Sequence, residues 1–82
     1  MRPMNTDRLL LISAGRRHAA TGTGRTIRQA AGLSLSDIGI AVGANESTVW
    51  RWEEGECLPR GDRAVKYAQV LADIERATRA AA

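Results

Sequence analysis

Apolar residues recur at helical spacing in two short neighbouring segments of the chain. The spacing is three or four residues in each segment, as in the pairs Ile38/Val42 and Val49/Trp52. Such spacing puts one apolar stripe on each helix, and the two stripes can pack against each other. The pattern therefore predicts helices at residues 35–42 and 46–53, joined by a tight turn.

Polar residues and glycine mark the ends of these two helices. Ser34 and Asp37 have the spacing of a capping box, in which each side chain binds the backbone N–H of the other residue. Gly43 stands where the chain must turn left-handed to leave the first helix, and Asn45 is a favourable N-cap for the second. Two helices joined in this way form a helix-turn-helix, whose second helix enters the DNA major groove.

Before this motif the sequence predicts two helices separated by a break. Asn5 or Thr6 can cap a helix that runs to about residue 20 and docks by its first turns, through the apolar run 9–12. The sequence Thr-Gly-Thr-Gly at residues 21–24 stops that helix, because glycine is a poor helix former. A short helix restarts at residue 24 or 25 and ends at Gly32.

After the motif the sequence predicts one long helix. Leu58 and Pro59 turn the chain, and the helix runs from Gly61 or Asp62 to about residue 79 without a breaker. Its inner stripe consists of Ala64, Val65, Ala68 and Leu71. We expect one all-α domain over residues 1–82, a compact bundle of about five helices with a central helix-turn-helix, and with residues 1–4 and about 80–82 frayed.

Charge and composition narrow the class of protein. Residues 1–36 hold six arginines and one acidic residue, whereas the remainder holds six basic and eight acidic residues. The basic half suggests a polyanionic partner, although a solvated arginine-rich surface has the same composition. One cysteine and one histidine exclude an internal disulfide and a zinc cluster, and no apolar run reaches the length of a membrane span. We therefore expect a cytoplasmic protein with no cofactor, no metal, no membrane contact and no catalytic site.

The central segment resembles the phage Cro and lambda-repressor-like (XRE-type) family of helix-turn-helix proteins. The resemblance covers residues 27–71, and its Trp-Glu-x-Gly ending at residues 52–55 makes it more specific than a bare helix-turn-helix. The matching positions are Gly32, Leu33, Ser34, Ile38, Gly43, Ala44, Ser47, Thr48, Val49, Arg51, Trp52, Glu53 and Gly55. The resemblance implies a lambda-repressor-like bundle in which Glu53 ties the second helix to the rest of the domain.

The chain departs from the family pattern at three positions. Leu35 replaces a glutamine that tends to contact phosphate, Gly24 stands where the family has an apolar residue, and Gly39 replaces an alanine. The last change costs about 1 kcal/mol of helix propensity and is expected to keep the close packing of that site. Trp52 is expected in the core, and Trp50, about 200° around the same helix, near the DNA backbone or exposed.

The resemblance places base-reading side chains at the start of the second helix. These residues are Glu46, Ser47, Thr48 and Arg51. Arg51 can pair with guanine O6 and N7, whereas Glu46 has only acceptors and suits a cytosine N4 amine. The alternative pairs Glu46 with a neighbouring arginine or leaves Arg51 on a phosphate.

Contacts to the DNA backbone are expected from a second set of residues. They are Arg16, Arg17, Arg25, Arg28, Ser34, Asn45 and Trp50. Asn45 can alternatively be used up by its own cap. The glycine-rich segment 21–24 can hold a phosphate through its backbone N–H groups or act as a plain hinge.

These features predict a sequence-specific transcription regulator that binds a double-stranded DNA operator, similar to a phage Cro protein or a repressor domain. Two other hypotheses keep the same fold. One is an antitoxin that also covers a toxin with its last helix, and the other is a protein-interaction module that does not touch DNA. The family often binds paired half-sites as dimers, and the sequence leaves both monomer and homodimer open.

Overall fold

The computed structural model describes residues 4–81, with side chains from Thr6 onward. Its helices are α1 Met4–Thr21, α2 Thr23–Ala30, α3 Leu35–Val42, α4 Glu46–Glu53 and α5 Gly61–Ala81. The predicted all-α fold with a central helix-turn-helix is confirmed. α1 is already helical at Met4 and α5 continues to Ala81, so both helices run closer to the termini than predicted; residues 1–3 and 82 lie outside the described residues.

The capping box of α3 forms as predicted. Ser34 Oγ accepts a hydrogen bond from the Asp37 backbone N–H at 2.9 Å, and the Ser34 N–H donates to Asp37 Oδ2 at 2.9 Å. These bonds satisfy two of the backbone donors that a helix N-terminus leaves free. The hydrogen bonds with Ser34 also stabilise the charged form of the exposed Asp37 carboxylate and so lower its pKa. α3 and α4 have the ends that the sequence predicts.

The turn between α3 and α4 is held by a close backbone contact. Gly43 takes the left-handed conformation at φ 76°, and the N–H groups of Gly43 and Ala44 both donate to the Gly39 carbonyl oxygen, at 2.8 and 2.9 Å. A Cβ on Gly39 would lie 2.5 Å from the Ala44 carbonyl oxygen. The close packing that the sequence analysis expects at Gly39 is therefore present, and the turn is tight enough to require glycine at this position.

The core lies where α3, α4 and α5 meet. Its buried members are Ala19, Ile38, Val42, Val49, Trp52, Tyr67 and Leu71. The rings of Trp52 and Tyr67 pack at a centroid distance of 5.0 Å with an interplanar angle of 53°, a tilted arrangement that aromatic pairs prefer. Trp52 is 2% exposed and Trp50 is 45% exposed, which confirms the predicted phase of α4.

α1 packs by its second half. Leu9 and Leu10 are each 63% exposed, whereas Ala19 is buried. Gly15 lies against Ala64 of α5, so closely that a Cβ on Gly15 would overlap the Ala64 carbonyl oxygen. The prediction that α1 docks by its first turns is wrong, because the closest approach forms at small residues rather than at the leucines.

A single glycine separates α1 from α2. Gly22 takes the left-handed conformation at φ 81°, and α2 begins at once with Thr23. His18 Nδ1 and Thr23 Oγ1 lie 2.7 Å apart across the break. Gly24 is buried within α2, against the Tyr67 hydroxyl group. Within the segment 21–24 only Gly22 is therefore outside a helix, and Gly24 lets α5 come close at the position where the family has an apolar residue.

Candidate nucleic-acid interface

The first turn of α4 begins at Asn45. Asn45 Oδ1 accepts hydrogen bonds from the Thr48 backbone N–H at 2.8 Å and from the Ser47 hydroxyl at 2.9 Å. The cap therefore uses this oxygen, which was one of the two alternatives from the sequence, and leaves the side-chain amide NH₂ as a donor. Because the Ser47 hydroxyl donates to Asn45, Ser47 is left as a hydrogen-bond acceptor for other groups.

Glu46 and Arg51 carry the charges of the exposed side of α4. Both are exposed, and neither side chain has a hydrogen bond or ion pair within the described part of the chain. Thr48, between them, is half-buried. The alternative in which a neighbouring arginine neutralises Glu46 does not occur among the described residues. Both charges are therefore available to a ligand.

Arg28 lies inside the domain. Its Nε and Nη2 donate to the Glu53 carboxylate at 2.6 and 2.9 Å, and its Nη1 donates to the Leu33 carbonyl oxygen at 2.9 Å. The side chains of Arg28 and Glu53 are only 13% and 3% exposed. The hydrogen bonds that Arg28 donates to Glu53 raise the pKa of Arg28. The pair ties α4 to α2, as the resemblance implies for Glu53, and this geometry removes Arg28 from the free phosphate ligands.

Arg25 faces the acidic end of α4. Its guanidinium lies 3.4 Å from the Glu54 carboxylate. This end is about 12 Å from the start of α4, because an α-helix rises about 1.5 Å per residue over eight residues. At this end of α4 a phosphate would be repelled by the Glu54 carboxylate, by the exposed Glu56 and by the negative end of the helix dipole. Arg25 therefore lies away from the turn that is expected to read bases.

Arg16 and Arg17 lie beside the loop that follows α4. Arg16 Nη1 donates to the Pro59 carbonyl oxygen at 3.2 Å, and Arg17 Nη1 donates to Ser13 Oγ at 3.4 Å. Both arginines line a surface groove of about 420 Å³ that also includes Leu58. Arg17 is exposed and Arg16 is half-buried, so α1 adds positive charge at the edge of this loop.

Arg60 and Arg63 join this basic surface, and the sequence interpretation missed them. They share a groove of about 370 Å³ with Thr48 of α4 and with Leu58, which also borders the groove of the α1 arginines. Both are exposed, and neither side chain has a partner among the described residues. A signal was available, because Arg63 in the first turn of α5 opposes the helix dipole. Such a placement points to a use other than helix stability.

Ser34 and Trp50 are the remaining candidates for contacts to the DNA backbone. Ser34 is exposed at the start of α3, where the capping box uses its hydroxyl as an acceptor. Trp50 lies on the side of α4 away from the core. Ile40, 81% exposed, borders an open groove of about 530 Å³ in front of Asn45. The first turn of α4 thus borders an open groove shared with α3, and through Thr48 it borders the groove that holds Arg60 and Arg63.

We also searched the described residues for a metal site, a membrane-spanning helix and a free thiol. Within residues 4–81, no cluster of His, Cys, Asp and Glu side chains is arranged to hold a metal ion. The helices described there are too short or too polar to cross a membrane. Cys57 is an exposed free thiol at the rim of the Arg60 groove.

These features define a helix-turn-helix domain. α3 and α4 are both capped, the Arg28–Glu53 ion pair fixes α4, and the first turn of α4 is polar and largely exposed. Residues 25–82 match the family described as "Helix-turn-helix domain", and the chain belongs to this family. The resemblance to XRE-type helix-turn-helix proteins is thereby confirmed, and such domains are typical of DNA-binding transcription regulators without catalytic activity. No curated protein and no solved structure matches the chain. α1 precedes the matched region.

Proposed function

We propose that the protein is a sequence-specific transcription regulator of the phage Cro or repressor kind, which binds an operator through α4. One observation carries the proposal. Glu46 and Arg51 are exposed on α4 and have no partner among the described side chains, while Val49 and Trp52 anchor the opposite face of the same helix in the core. Charges on a rigid helix can meet a ligand without costly reordering, and the major groove, about 12 Å wide, admits one helix.

Each side chain of this turn suits a particular base contact. Arg51 binds guanine O6 and N7 in a bidentate pair worth about 1–3 kcal/mol of discrimination. Glu46 accepts a hydrogen bond from a cytosine N4 amine. Ser47 acts as an acceptor, because its proton is directed to Asn45. Thr48 offers its methyl group to a thymine at the edge of the reading turn.

Phosphate contacts come from the basic surface beside α4. The charged members of this set are Arg16, Arg17, Arg60 and Arg63. Uncharged donors complete it, namely the Ser34 hydroxyl, the Asn45 amide and the Trp50 indole N–H. These contacts orient the domain on the duplex but carry no sequence information.

The base-reading roles are tested on a selected binding site. Sites are selected from random duplexes, and Arg51→Ala and Glu46→Gln are measured against all single-base variants of the best site. We expect each variant to lose its preference at one base pair and to keep it elsewhere. Arg76→Ala is the matched control, since Arg76 pairs with Asp73 in the second half of α5. A uniform loss of affinity across the panel would make Arg51 a phosphate ligand and contradict the base-reading role.

The phosphate set is tested by salt dependence. Arg60→Ala and Arg63→Ala should each flatten the plot of log affinity against log salt by about one unit and leave specificity intact. Arg28→Ala should instead destabilise the fold by about 3–5 kcal/mol, because it leaves the Glu53 carboxylate buried without a partner. Failure to bind any duplex at low salt would reject the proposal and favour a protein-interaction module.

A further inference from the structure

The first half of α1 exposes apolar side chains that do not enter the core. Leu9 and Leu10 are each 63% exposed, and Ile12 is half-buried. The close contacts of α1 with the rest of the domain form farther along the helix, at Gly15 and Ala19. Apolar side chains that cluster on a surface mark contact sites, whereas isolated ones need no explanation. The outer face of α1 is therefore a candidate for contact with another molecule.

A surface groove follows this face of α1. We call it the α1 groove; its volume is about 420 Å³, and it is lined by Leu9, Ile12, Ser13, Arg16, Arg17, Ala20 and Leu58. The α1 members of this set recur every three or four residues, so they share one face of the helix. From residue 9 to residue 20 the groove follows about 16 Å of helix, because each residue adds about 1.5 Å.

Apolar and charged residues occupy different ends of the α1 groove. Leu9 and Ile12 lie toward the start of α1, whereas Arg16 and Arg17 lie one to two turns farther on. Among the described residues no acidic side chain lines the groove, and the hydrogen bonds of both guanidinium groups go to neutral oxygen atoms. The groove thus offers apolar surface and uncompensated positive charge to the same ligand.

Three kinds of ligand fit this pattern poorly. A DNA phosphate would pair with the arginines but would leave Leu9 and Ile12 without an apolar partner. A second copy of the groove would bring arginines against arginines. A small molecule would stay largely in water, because small-molecule sites bury about 70–90% of their ligand. The lining residues that are exposed are four of the seven, namely Leu9, Ser13, Arg17 and Ala20.

We propose that the α1 groove binds an acidic amphipathic helix of a partner protein, which lies antiparallel to α1. Apolar side chains of the partner helix pack on Leu9 and Ile12, and its carboxylates pair with Arg16 and Arg17. In this direction the carboxylates lie in the first turn of the partner helix, where the helix dipole also favours negative charge. An amphipathic helix that lays its apolar face into a groove is a recurring mode of recognition between proteins.

A helix in the α1 groove would compete with DNA. Arg16 and Arg17 belong to the proposed phosphate set, so a carboxylate and a phosphate compete for the same guanidinium groups. By linkage, the partner helix weakens DNA binding by the same factor by which DNA weakens binding of the helix. This regulatory role rests on the proposed function, whereas binding of an acidic helix to the groove does not.

A synthetic peptide tests the groove on the full chain. The probe is a fluorescein-labelled helix of about sixteen residues, roughly 24 Å long, with two glutamates in its first turn and two leucines about two turns later. We expect it to bind, in fluorescence anisotropy, with a dissociation constant of about 10–100 μM. A version with lysines in place of the glutamates should bind at least about tenfold more weakly.

The two exposed leucines of α1 supply a matched pair of variants. Leu9→Ala should weaken binding of the glutamate peptide by about tenfold, because it removes apolar surface from the groove. Leu10→Ala should leave binding unchanged, since Leu10 is equally exposed but does not line the groove. Thermal melting confirms that both variants are folded. Equal effects of the two substitutions would overturn the proposal.

Charge reversal tests the contact with arginine. Arg17→Glu should weaken binding of the glutamate peptide by about tenfold and strengthen binding of the lysine peptide to a similar extent. Arg76→Glu is the control with the same net charge, because Arg76 lies on α5 outside the groove. It should change binding of either peptide by less than about twofold, since distant surface charges are screened by salt. Failure of Arg17→Glu to switch the preference would contradict the arrangement.

Competition with duplex DNA separates this inference from the proposed function. Excess glutamate peptide should lower the affinity of the wild type for DNA by about fivefold or more, and the same concentration should have little effect on Leu9→Ala. If peptide and DNA bound together without affecting each other, competition for the arginines would be refuted. A chain that bound the peptide but no duplex would keep the α1 groove and reject the proposed function. Absence of peptide binding, with binding to phosphatidylglycerol vesicles that both leucine variants abolish, would overturn the proposal in favour of a membrane surface.

Discussion

Gly24→Ala tests the close contact between α2 and α5. A Cβ on Gly24 would overlap the Tyr67 hydroxyl oxygen and lie 3.1 Å from Tyr67 Cζ. The tyrosine ring cannot easily move away, since it is 1% exposed and packs on Trp52 at a centroid distance of 5.0 Å. The added methyl group must therefore push α2 away from α5 or force the ring from its preferred rotamer.

Two effects of opposite sign determine the result for Gly24→Ala. Alanine is more favourable than glycine inside a helix by about 1 kcal/mol. Overpacking of a tight contact costs about 1–3 kcal/mol. We expect the overlap to win, with a net loss of about 1 kcal/mol. In a domain of this size that loss lowers the melting temperature by about 4–8 °C.

Tyr67→Phe removes the atom that causes the overlap. The Tyr67 hydroxyl is buried without a hydrogen-bond partner in the described structure, and burial raises the pKa of Tyr67 to about 12. Removal of an unsatisfied buried hydroxyl should increase stability by about 1 kcal/mol. In this background Gly24→Ala should no longer destabilise, which gives a favourable coupling energy of about 1–2 kcal/mol in the double-mutant cycle.

Gly15→Ala supplies the control for this cycle. Its Cβ would overlap the Ala64 backbone carbonyl oxygen, and no change at Tyr67 can relieve that contact. Urea unfolding of the single and double variants should therefore show Gly15→Ala and Tyr67→Phe to be additive within about 0.5 kcal/mol. If Gly24→Ala stabilised the protein with Tyr67 present, or if its coupling to Tyr67→Phe were absent, the close approach of α2 and α5 would be refuted.

The aromatic, titratable and thiol side chains give three more expected results. Trp52→Ala should cost about 3–5 kcal/mol and Trp50→Ala much less; thermal melts that ranked them the other way would contradict the difference in burial. Burial lowers the pKa of His18, so the unfolded chain binds the proton more readily and stability should fall as the pH drops below about 6.5. His18→Gln should flatten that part of the profile of melting temperature against pH, and an unchanged slope would rule out His18 as its source. An anionic label on the exposed Cys57 should weaken DNA binding in fluorescence anisotropy, whereas a methyl label should not; equal binding of both forms would argue against the Arg60 groove as a DNA surface.

Local signals in the sequence were enough to predict the helix-turn-helix. The capping box of Ser34, the left-handed Gly43 and the Asn45 cap act within three or four residues, so their effect can be read without knowledge of the fold. The phase of α4 follows from spacing in the same way, because Trp50 and Trp52 must lie on different sides of a helix. These elements are confirmed to the residue.

Contacts between distant segments could not be read in this way. Gly15 and Gly24 mark close contacts between helices, but a missing side chain leaves no apolar pattern. The run 9–12 suggests a docking face, yet Leu9 and Leu10 are exposed and the other two residues of the run are only half-buried. Arg28 looks like any other arginine until Glu53, twenty-five residues away, is brought against it. Charge alone therefore could not separate an internal ion pair from a phosphate ligand.

α1 lies before the matched helix-turn-helix region, yet it belongs to the same packed unit. Ala19 is part of the buried core, and Gly15 packs on the backbone of α5. Arg16 also binds the Pro59 carbonyl oxygen, directly before Arg60. α1 thus helps to fix the loop that leads into α5 and carries Arg60, one of the proposed phosphate ligands. The arginines of α1 itself lie on a packed helix and not on a flexible arm. In the proposed complex, the angle between the DNA backbone and α4 is therefore set in part by a helix outside the matched region.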